Sequence, residues 1–246
     1  IGWTEIEAEL TAPLGGGTGS NTGLGHRGVA FGGNTGSIVN TMEFITISTL
    51  GNAQDFGDLT TVSSRGGALS SATRGVRGGG QTPSTINTIE FITIASTGNG
   101  IDFGNCTSTN SSDGGGFASP TRGFQVSTSA NPDFGQFVTI PTLGNAIEFT
   151  DGTFHDQSST QGASNSTRGL AMGGYSPSYT ASIDFIEMAT LGNAVNFGDL
   201  TVAGGIGDGT ASSTRAVAFG RYKSPGVNDG TIDYVEIATQ GNAVDF

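Results

Sequence analysis

Acidic side chains recur at matching positions of a repeated strand-like segment, and paired carboxylates are the groups that hydrolyse glycosides. Enzymes of that class need one carboxyl group as acid and a second, in a different environment, as base or nucleophile. Residues at equivalent repeat positions should behave alike, so we expect solvated or strand-pairing carboxylates and no catalytic residue. The series is Glu43, Glu90, Asp184 and Asp233, with Gln136 at the equivalent place in the third copy.

Other nucleophilic and metal chemistry has little support in the sequence. His26 and His155 are remote from one another and lack a nucleophile partner, and the single Cys106 forms neither an intrachain disulfide nor a zinc ligand set. Residues 55–58 and 196–199 offer oxygen ligands for Ca²⁺, but their spacing is not that of a twelve-residue calcium loop. Turns that cap their own backbone are the favoured interpretation. We therefore predict a protein that is not an enzyme and has no cofactor, with Ca²⁺ as the alternative.

A second set of charged residues pairs an arginine with a later acid in the repeats. A guanidinium can hold carboxylates or backbone carbonyl oxygens in a bidentate arrangement, which suits a charge placed between repeats. Because the pattern recurs, we predict a structural role, with ligand binding as the alternative. The arginines are Arg27, Arg74, Arg122, Arg168 and Arg215, and the acids are Asp55, Asp102, Glu148 and Asp245, with Asn196 in the fourth copy.

The best candidates for ligand binding lie where the copies differ. One loop carries Tyr175 and Tyr179 in the fourth copy, and the corresponding loop carries Arg221, Tyr222 and Lys223 in the fifth. Exposed tyrosine rings stack on sugar rings and other apolar faces while their hydroxyl groups remain hydrated. These five residues are the predicted ligand-binding set, and loop variation without function is the alternative.

Two landmarks show that the chain is a five-fold repeat. A glycine that begins Gly-Asn-Ala or a close variant occurs at positions 51, 98, 144, 192 and 241, in steps of 46 to 49 residues. The arginines named above keep the same phase, in steps of 46 to 48 residues. Two landmarks in phase across five copies indicate repeat architecture.

Each repeat contains short segments with the composition of β-strands. In the fourth copy these are residues 168–174, 182–189 and 194–201, rich in β-branched and aromatic side chains. A weaker, glycine-rich strand is predicted before each arginine, for example within residues 63–72. Four strands in a unit of about 40 to 50 residues are typical of a β-propeller blade. We predict an all-β, five-bladed β-propeller in one domain, residues 1–246, with blades at approximately 12–60, 61–106, 107–152, 153–200 and 201–246.

The two ends of the sequence predict how the ring closes. The fifth copy stops at Phe246, where the first and fourth copies continue into Gly-Asp-Leu-Thr. Near the other end, Leu10 and Thr11 precede Arg27 by about the distance that separates the matching residues from Arg215. Residues 1–11 are therefore expected to supply the outer strand of blade five, removing an exposed sheet edge. Deleting them should destabilise the ring.

Composition limits the class of partner. The 246 residues include 43 glycines and 15 phenylalanines, and the formal net charge is −12, with only 9 lysines and arginines. Binding to nucleic acid or anionic membrane needs a surplus of basic residues, so neither partner is expected. No apolar run reaches the length of a membrane span and no signal peptide is recognisable, so no membrane insertion is predicted.

The order of landmarks resembles a kelch-type propeller repeat. An arginine and a short strand lead to a double glycine, then to a strand with an aromatic residue, then to a later aromatic residue that is usually tryptophan in kelch proteins. Here the later residue is phenylalanine in every copy, which is consistent with a divergent relative. The double glycines are at 32–33, 79–80 and 173–174. The aromatic residues of the following strand are Phe44, Phe91, Phe185 and Tyr234. The later aromatic residues are Phe56, Phe103, Phe149, Phe197 and Phe246.

The repeat also resembles glycine-rich repeats of marine bacteriophage structural proteins. The matching phrase is Ile-Asp-Tyr/Phe-x-x-Ala-Thr-x-Gly-Asn-Ala-x-Asp-Phe-Gly-Asp-Leu-Thr, followed by Ser-Ser-Thr-Arg-Gly. Similar repeats occur in tail-fibre and virion-surface proteins of the cyanophage type. The resemblance implies a non-enzymatic component of the phage particle, in a tail fibre or on the capsid surface, that attaches to other virion proteins or to host-surface glycan. A free extracellular carbohydrate-binding propeller lectin, or a propeller glycoside hydrolase, is the alternative.

Overall fold

Antiparallel β-sheet is the dominant regular structure in the described part of the chain. The strands form five sheets and one small hairpin. This confirms the all-β prediction. No helix in the described ranges is long and apolar enough to cross a membrane. The structure is a computed structural model that describes residues 27–49, 51–108, 115–128, 131–151, 154, 159–175, 177–205 and 207–246.

The strands follow the repeat. Sheet one contains β1 (Arg27–Asn34), β2 (Ile38–Thr46) and β3 (Gln54–Asp58). Sheet two contains β4 (Gly67–Ser70), β5 (Arg74–Gly78), β6 (Thr88–Thr93) and β7 (Ile101–Asn105). Sheet three contains β8 (Gly115–Ala118), β9 (Arg122–Thr128), β10 (Asn131–Thr139) and β11 (Ile147–Asp151).

The last two repeats continue the series. Sheet four contains β12 (Gln161–Ser164), β13 (Arg168–Tyr175), β14 (Tyr179–Glu187) and β15 (Val195–Asp199). The fifth repeat contains β16 (Asp208–Ala211), β17 (Arg215–Phe219), the hairpin strands β18 (Tyr222–Lys223) and β19 (Val227–Asn228), and then β20 (Asp233–Glu236) and β21 (Val244–Asp245). Sheet five consists of β16, β17, β20 and β21.

Each sheet is a meander in which chain order equals spatial order. The strand before the repeat arginine lies at one edge, which confirms the weak strand predicted within residues 63–72 as β4. The strand that carries Phe56, Phe103 or Phe197 lies at the opposite edge. We call these the inner and outer strands.

The inner strands β4, β8, β12 and β16 pack directly against one another. A Cβ atom on Gly116 would lie 2.6 Å from the carbonyl oxygen of Ala68, and one on Gly162 would lie 2.2 Å from that of Gly116. A Cβ atom on Gly209 would lie 2.7 Å from the carbonyl oxygen of Gly162. The backbones approach this closely only because no side chain stands between them, which explains the glycine-rich inner strands.

The hydrophobic core lies between the sheets and not inside any one of them. In the described residues, four clusters fill the junctions between successive sheets. At the first junction, Ile92 of sheet two packs with Met42, Phe44 and Phe56 of sheet one. Each repeat therefore buries its apolar surface against its neighbours, as repeat proteins do.

Sheet five is four-stranded in the described residues, but it does not test the predicted ring closure. Its outer strand β21 pairs with β20, with Val244 opposite Tyr234, and is two residues long, against five in β15. Residues 1–11 lie outside the described residues, and their position stays a prediction. The sheets fall within the ranges predicted for the blades, and that they form one domain also stays a prediction.

Candidate functional site

The repeat arginines connect neighbouring sheets. Each stands at the start of its strand, and in four of the five the Nη1 atom donates a hydrogen bond to a backbone carbonyl oxygen of the next sheet. The donor and acceptor pairs are Arg27 with Ile94, Arg74 with Ile140, Arg122 with Met188 and Arg168 with Ile237, at 2.7 to 2.9 Å. A charge-assisted bond of this kind holds adjacent sheets at a set distance.

The same guanidinium groups lie over aromatic rings of their own sheets. The attraction between a cation and a ring face keeps each arginine extended toward the next sheet. The rings are those of Phe44, Phe91, Phe137, Phe185 and Tyr234, and the guanidinium carbons lie 4.6 to 5.4 Å from their centres.

The acids predicted to pair with these arginines do not do so. In sheet one, Arg27 of β1 lies opposite Thr46 of β2. Asp55 lies in β3, two strands away from Arg27, and is opposite Glu43. The carboxylate pairs recorded for the repeat arginines of the described residues are Arg168 with Glu187 and Arg215 with Glu236, each at 2.6 Å. The predicted partners Asp55, Asp102, Glu148 and Asp245 are exposed on outer strands.

The Gly-Asn motif forms a second connection between sheets. The Gly98 N–H donates to the Phe56 carbonyl at 2.7 Å, and the Gly100 N–H donates to the Asp58 carbonyl at 2.8 Å. The Asn99 side-chain oxygen accepts the Asp58 N–H at 3.1 Å. The motif of one repeat thus adds to the outer strand of the repeat before it. The same arrangement joins Gly144 and Asn145 to β7, and Gly241 and Asn242 to β15.

The segments considered for Ca²⁺ are strands and not turns. Residues 55–58 lie in β3 and residues 196–199 lie in β15, so the self-capping turn interpretation was wrong. A β-bulge between Asp55 and Asp58 places these acids opposite Glu43 and Thr41 of β2. Within the described ranges, no group of three or more His, Cys, Asp or Glu residues is placed to hold a metal ion.

In the second acidic series Glu90, Asp184, Asp233 and the equivalent Gln136 are buried, so the prediction of solvated groups was wrong for these residues. Glu90 Oε1 accepts the Thr60 N–H at 2.7 Å, and Gln136 Oε1 accepts the Thr107 N–H at 2.9 Å. Asp233 accepts the Thr201 N–H at 3.0 Å, so each residue caps the chain that leaves the preceding outer strand. Glu43 in sheet one is exposed, since no sheet covers it in the described residues.

Arg77 is a buried charge that sequence reasoning missed. It lies opposite Glu90 in the ladder and donates a hydrogen bond to Ser63. Burial lowers the pKa of Arg77, and the attraction of Glu90 opposes that shift. The sequence contained one signal for this residue. The first, fourth and fifth copies have alanine at this repeat position, whereas the second has Arg77 and the third has Gln125.

Three of the five predicted ligand-binding residues form a tyrosine cluster. The ring centres of Tyr175 and Tyr179 are 5.0 Å apart with planes at 61°, and those of Tyr179 and Tyr222 are 6.0 Å apart at 70°. Tyr175 is 44% exposed and Tyr222 is 37% exposed. Desolvation raises the pKa of Tyr179, and the neighbouring tyrosines add to the shift, so its hydroxyl group stays protonated near neutral pH. The cluster is an aromatic surface with polar edges.

Backbone pairing brings the tyrosines together from two repeats. Tyr175 and Tyr179 face one another where β13 turns into β14. The Tyr222 N–H donates to the Gly205 carbonyl at 2.8 Å, and the Gly205 N–H donates to the Tyr222 carbonyl at 3.0 Å. The carbonyl oxygen of the preceding residue, Gly204, accepts the Gly174 N–H at 2.8 Å. This bond connects the segment that pairs with Tyr222 to the end of β13.

Arg221 does not belong to the exposed surface, which corrects its assignment as a ligand contact. Its side chain is fully buried and lies 2.9 Å from Asp233 and 3.7 Å from Asp229. Lys223 donates to Asp229 Oδ1 at 3.1 Å. Burial alone would raise the pKa of Asp229, but hydrogen bonds from Lys223 and Thr231 outweigh it and hold that pKa below its usual value. These charges anchor the β18–β19 hairpin that presents Tyr222.

Comparison with known proteins gives no family for the chain. No protein-family model matches it. A comparison with curated proteins gives no match either.

Proposed function

We propose that this protein is a five-bladed β-propeller that serves as a non-enzymatic attachment component of a marine phage particle, in a tail fibre or on the capsid surface. It contacts host-surface glycan through the tyrosine cluster and contacts other virion proteins elsewhere. The observation that carries the binding part of the proposal is the exposed cluster of Tyr175, Tyr179 and Tyr222. The phage assignment rests on the repeat resemblance.

The packing of the sheets supports the propeller. Inner strands meet backbone to backbone, as Gly162 on Gly116 demonstrates. Further out, phenylalanine and isoleucine side chains stand between the sheets, as Phe56 and Ile92 do. The space between two sheets is therefore narrow at their inner edge and wider toward the outer edge. Sheets packed in this way form a curved array. A closed ring of five is the arrangement expected of such blades.

The chemistry of the tyrosine cluster supports a sugar ligand. Pyranose rings present apolar C–H faces that stack on aromatic rings, while their hydroxyl groups bond to polar edges. Tyr175 and Tyr222 supply both features at the surface. Their hydroxyl groups and Lys223, which is partly exposed, can donate hydrogen bonds at the rim of the cluster.

A free carbohydrate-binding lectin is the second candidate, because the tyrosine cluster would serve it equally well. A glycoside hydrolase is less well supported. Glu90 and Asp233 occupy equivalent positions and already bind backbone N–H groups of the preceding repeat. A hydrolase needs two unlike carboxyl groups that face a substrate.

Glycan binding can be tested on an array and then by titration with the sugar that binds. Tyr175→Ala and Tyr222→Ala should each weaken binding at least about tenfold, equivalent to about 1.4 kcal/mol. Ile147→Ala, at an exposed site on a different sheet, is the matched control and should bind like the wild type. A chain that binds no sugar on the array, or tyrosine variants that bind like the control, would contradict the glycan assignment.

The phage assignment needs a separate measurement. Mass spectrometry of purified particles from the source sample should detect peptides of this chain in a fixed ratio to the capsid protein. Glycan binding without detection in particles would favour the free lectin.

A further inference from the structure

Sheet one has an uncovered face that is covered in every later repeat. Ile45 is 47% exposed and Ile47 is 63% exposed. Their counterparts in sheet five, Val235 and Ile237, are 4% and 0% exposed because sheet four packs on them. Ile45 and Ile47 occupy positions that belong to the core in the later repeats. Their exposure in sheet one indicates that this face has a partner.

Sheet five has the opposite uncovered face. Arg215 lies 4.8 Å over the ring of Tyr234, in the same pose as the other repeat arginines. Its side chain is 51% exposed, against 25% for Arg168, which donates to a carbonyl of the next sheet. Phe246 is 74% exposed, whereas its counterpart Phe197 is 3% exposed.

The two faces are complementary in the same way as the junctions already formed. The carbonyl of Ile47 is the counterpart of the carbonyls of Ile94 and Ile237, which accept arginine Nη1 atoms. Gly28 is the counterpart of Gly75. Because it has no side chain, it leaves space on the face of sheet one for an aromatic ring of a covering sheet. A Cβ atom on Gly75 would lie 3.2 Å from the ring of Phe31, whereas the three atoms nearest to one on Gly28 belong to Ile45 and Ile47 of its own sheet.

We propose that the uncovered face of sheet five packs on the uncovered face of sheet one of the same chain, with Arg215 donating to the Ile47 carbonyl oxygen. The inference rests on the proposal that the sheets are blades, and it names the residues of the closing junction. A partner within the chain fits best because the described part of each chain has one face of each kind, and because wedge-shaped sheets curve the array back toward its start. The contact buries Ile45, Ile47 and Phe246 together, as Ile186, Met188 and Phe149 are grouped at the third junction.

Thermal unfolding of the full 246-residue chain provides the first test. Arg215→Ala should lower the midpoint by about as much as Arg27→Ala, about 3 °C or more, because both remove one arginine bond between sheets. Ile47→Asp should lower it further, because a charge would be buried. Ile101→Asp, at a site that is 53% exposed on an outer strand, is the matched control and should change the midpoint little. If Arg215→Ala and Ile47→Asp both behave like that control, the two faces are uncovered and the proposal is wrong.

Crosslinking identifies the partner. A chain with Ile47→Cys and Arg215→Cys is treated with a short bis-maleimide in an equal mixture of ¹⁴N-labelled and ¹⁵N-labelled protein. Crosslinked peptide pairs of a single isotope are expected, from a chain that is monomeric by light scattering. Mixed-isotope pairs would make a second copy the partner and overturn the proposal, as would destabilisation by Ile47→Asp without any 47–215 crosslink. Neither result bears on glycan binding, so a failed ring and a failed glycan assignment remain distinguishable.

Discussion

The Nη1 atom of Arg122 lies 2.8 Å from the carbonyl oxygen of Met188, 66 residues further along the chain. The same atom lies 2.9 Å from the carbonyl oxygen of Ala189. A residue that starts one strand therefore holds the sheet of the next repeat. Equivalent bonds at Arg27, Arg74 and Arg168 make the stack of sheets depend on contacts between repeats.

Arg122→Ala should reduce the free energy of unfolding by about 1 to 2 kcal/mol, because it removes a charge-assisted hydrogen bond and the cation–π contact with Phe137. Arg122→Lys should lose less, because it keeps the charge while losing the planar guanidinium. Denaturant unfolding of both variants measures the difference. Equal stability of Arg122→Ala and the wild type would show that the bond between sheets contributes nothing.

Gly104→Ala should destabilise the fold by about 2 kcal/mol or more. Gly104 has φ of +147°, and a Cβ atom there would lie 2.5 Å from the carbonyl oxygen of Gly144. Gly51→Ala is the matched control, since a Cβ atom at Gly51 meets nothing within 4 Å. Thermal midpoints of the two variants should therefore differ clearly. Similar midpoints would argue against the tight junction between β7 and the Gly-Asn motif.

The pair of Arg77 and Glu90 can be tested against the third repeat, which has Gln125 and Gln136 in its place. Gln136 Nε2 donates to Gln125 Oε1 at 2.7 Å, so two amides satisfy this position without charge. Glu90→Gln alone removes the negative charge that attracts the buried Arg77 and should cost about 1 to 3 kcal/mol. The double variant Arg77→Gln, Glu90→Gln should recover much of that loss. Denaturant unfolding should rank the double variant above Glu90→Gln, and the reverse order would contradict charge pairing.

Acid should weaken the hairpin that carries Tyr222. The pKa of Asp229 is lower in the folded chain than in the unfolded chain, so ionised Asp229 favours folding at pH values above its unfolded pKa. That contribution is lost as the pH falls below about 4 and through the folded pKa. Thermal midpoints between pH 3 and 7 should fall more steeply toward acid for the wild type than for Asp229→Asn. Parallel curves would show that Asp229 has no such role.

Much of the sheet structure could be predicted from the sequence, because strand formation depends on patterns within each copy. The β-branched and aromatic residues near Phe185 and the glycines before Arg74 predicted β14 and β4. The tyrosine cluster was also predictable in part, because Tyr175, Tyr179 and Tyr222 occupy one loop position in neighbouring repeats. That their rings touch depends on the backbone pairing of Gly205 with Tyr222, for which the sequence has no signal.

The partners of the charged residues were decided by tertiary structure. A backbone carbonyl has the same chemistry at every residue, so nothing in the sequence identifies Met188 as the acceptor for Arg122. Whether a side chain is buried also depends on how the sheets pack on one another. Glu43 and Glu90 occupy the same repeat position, yet Glu43 is exposed and Glu90 is buried, because sheet one precedes sheet two and no described sheet precedes sheet one. The sequence by itself determined the repeat and its strands, and the packing of one sheet on the next determined which contacts those strands make.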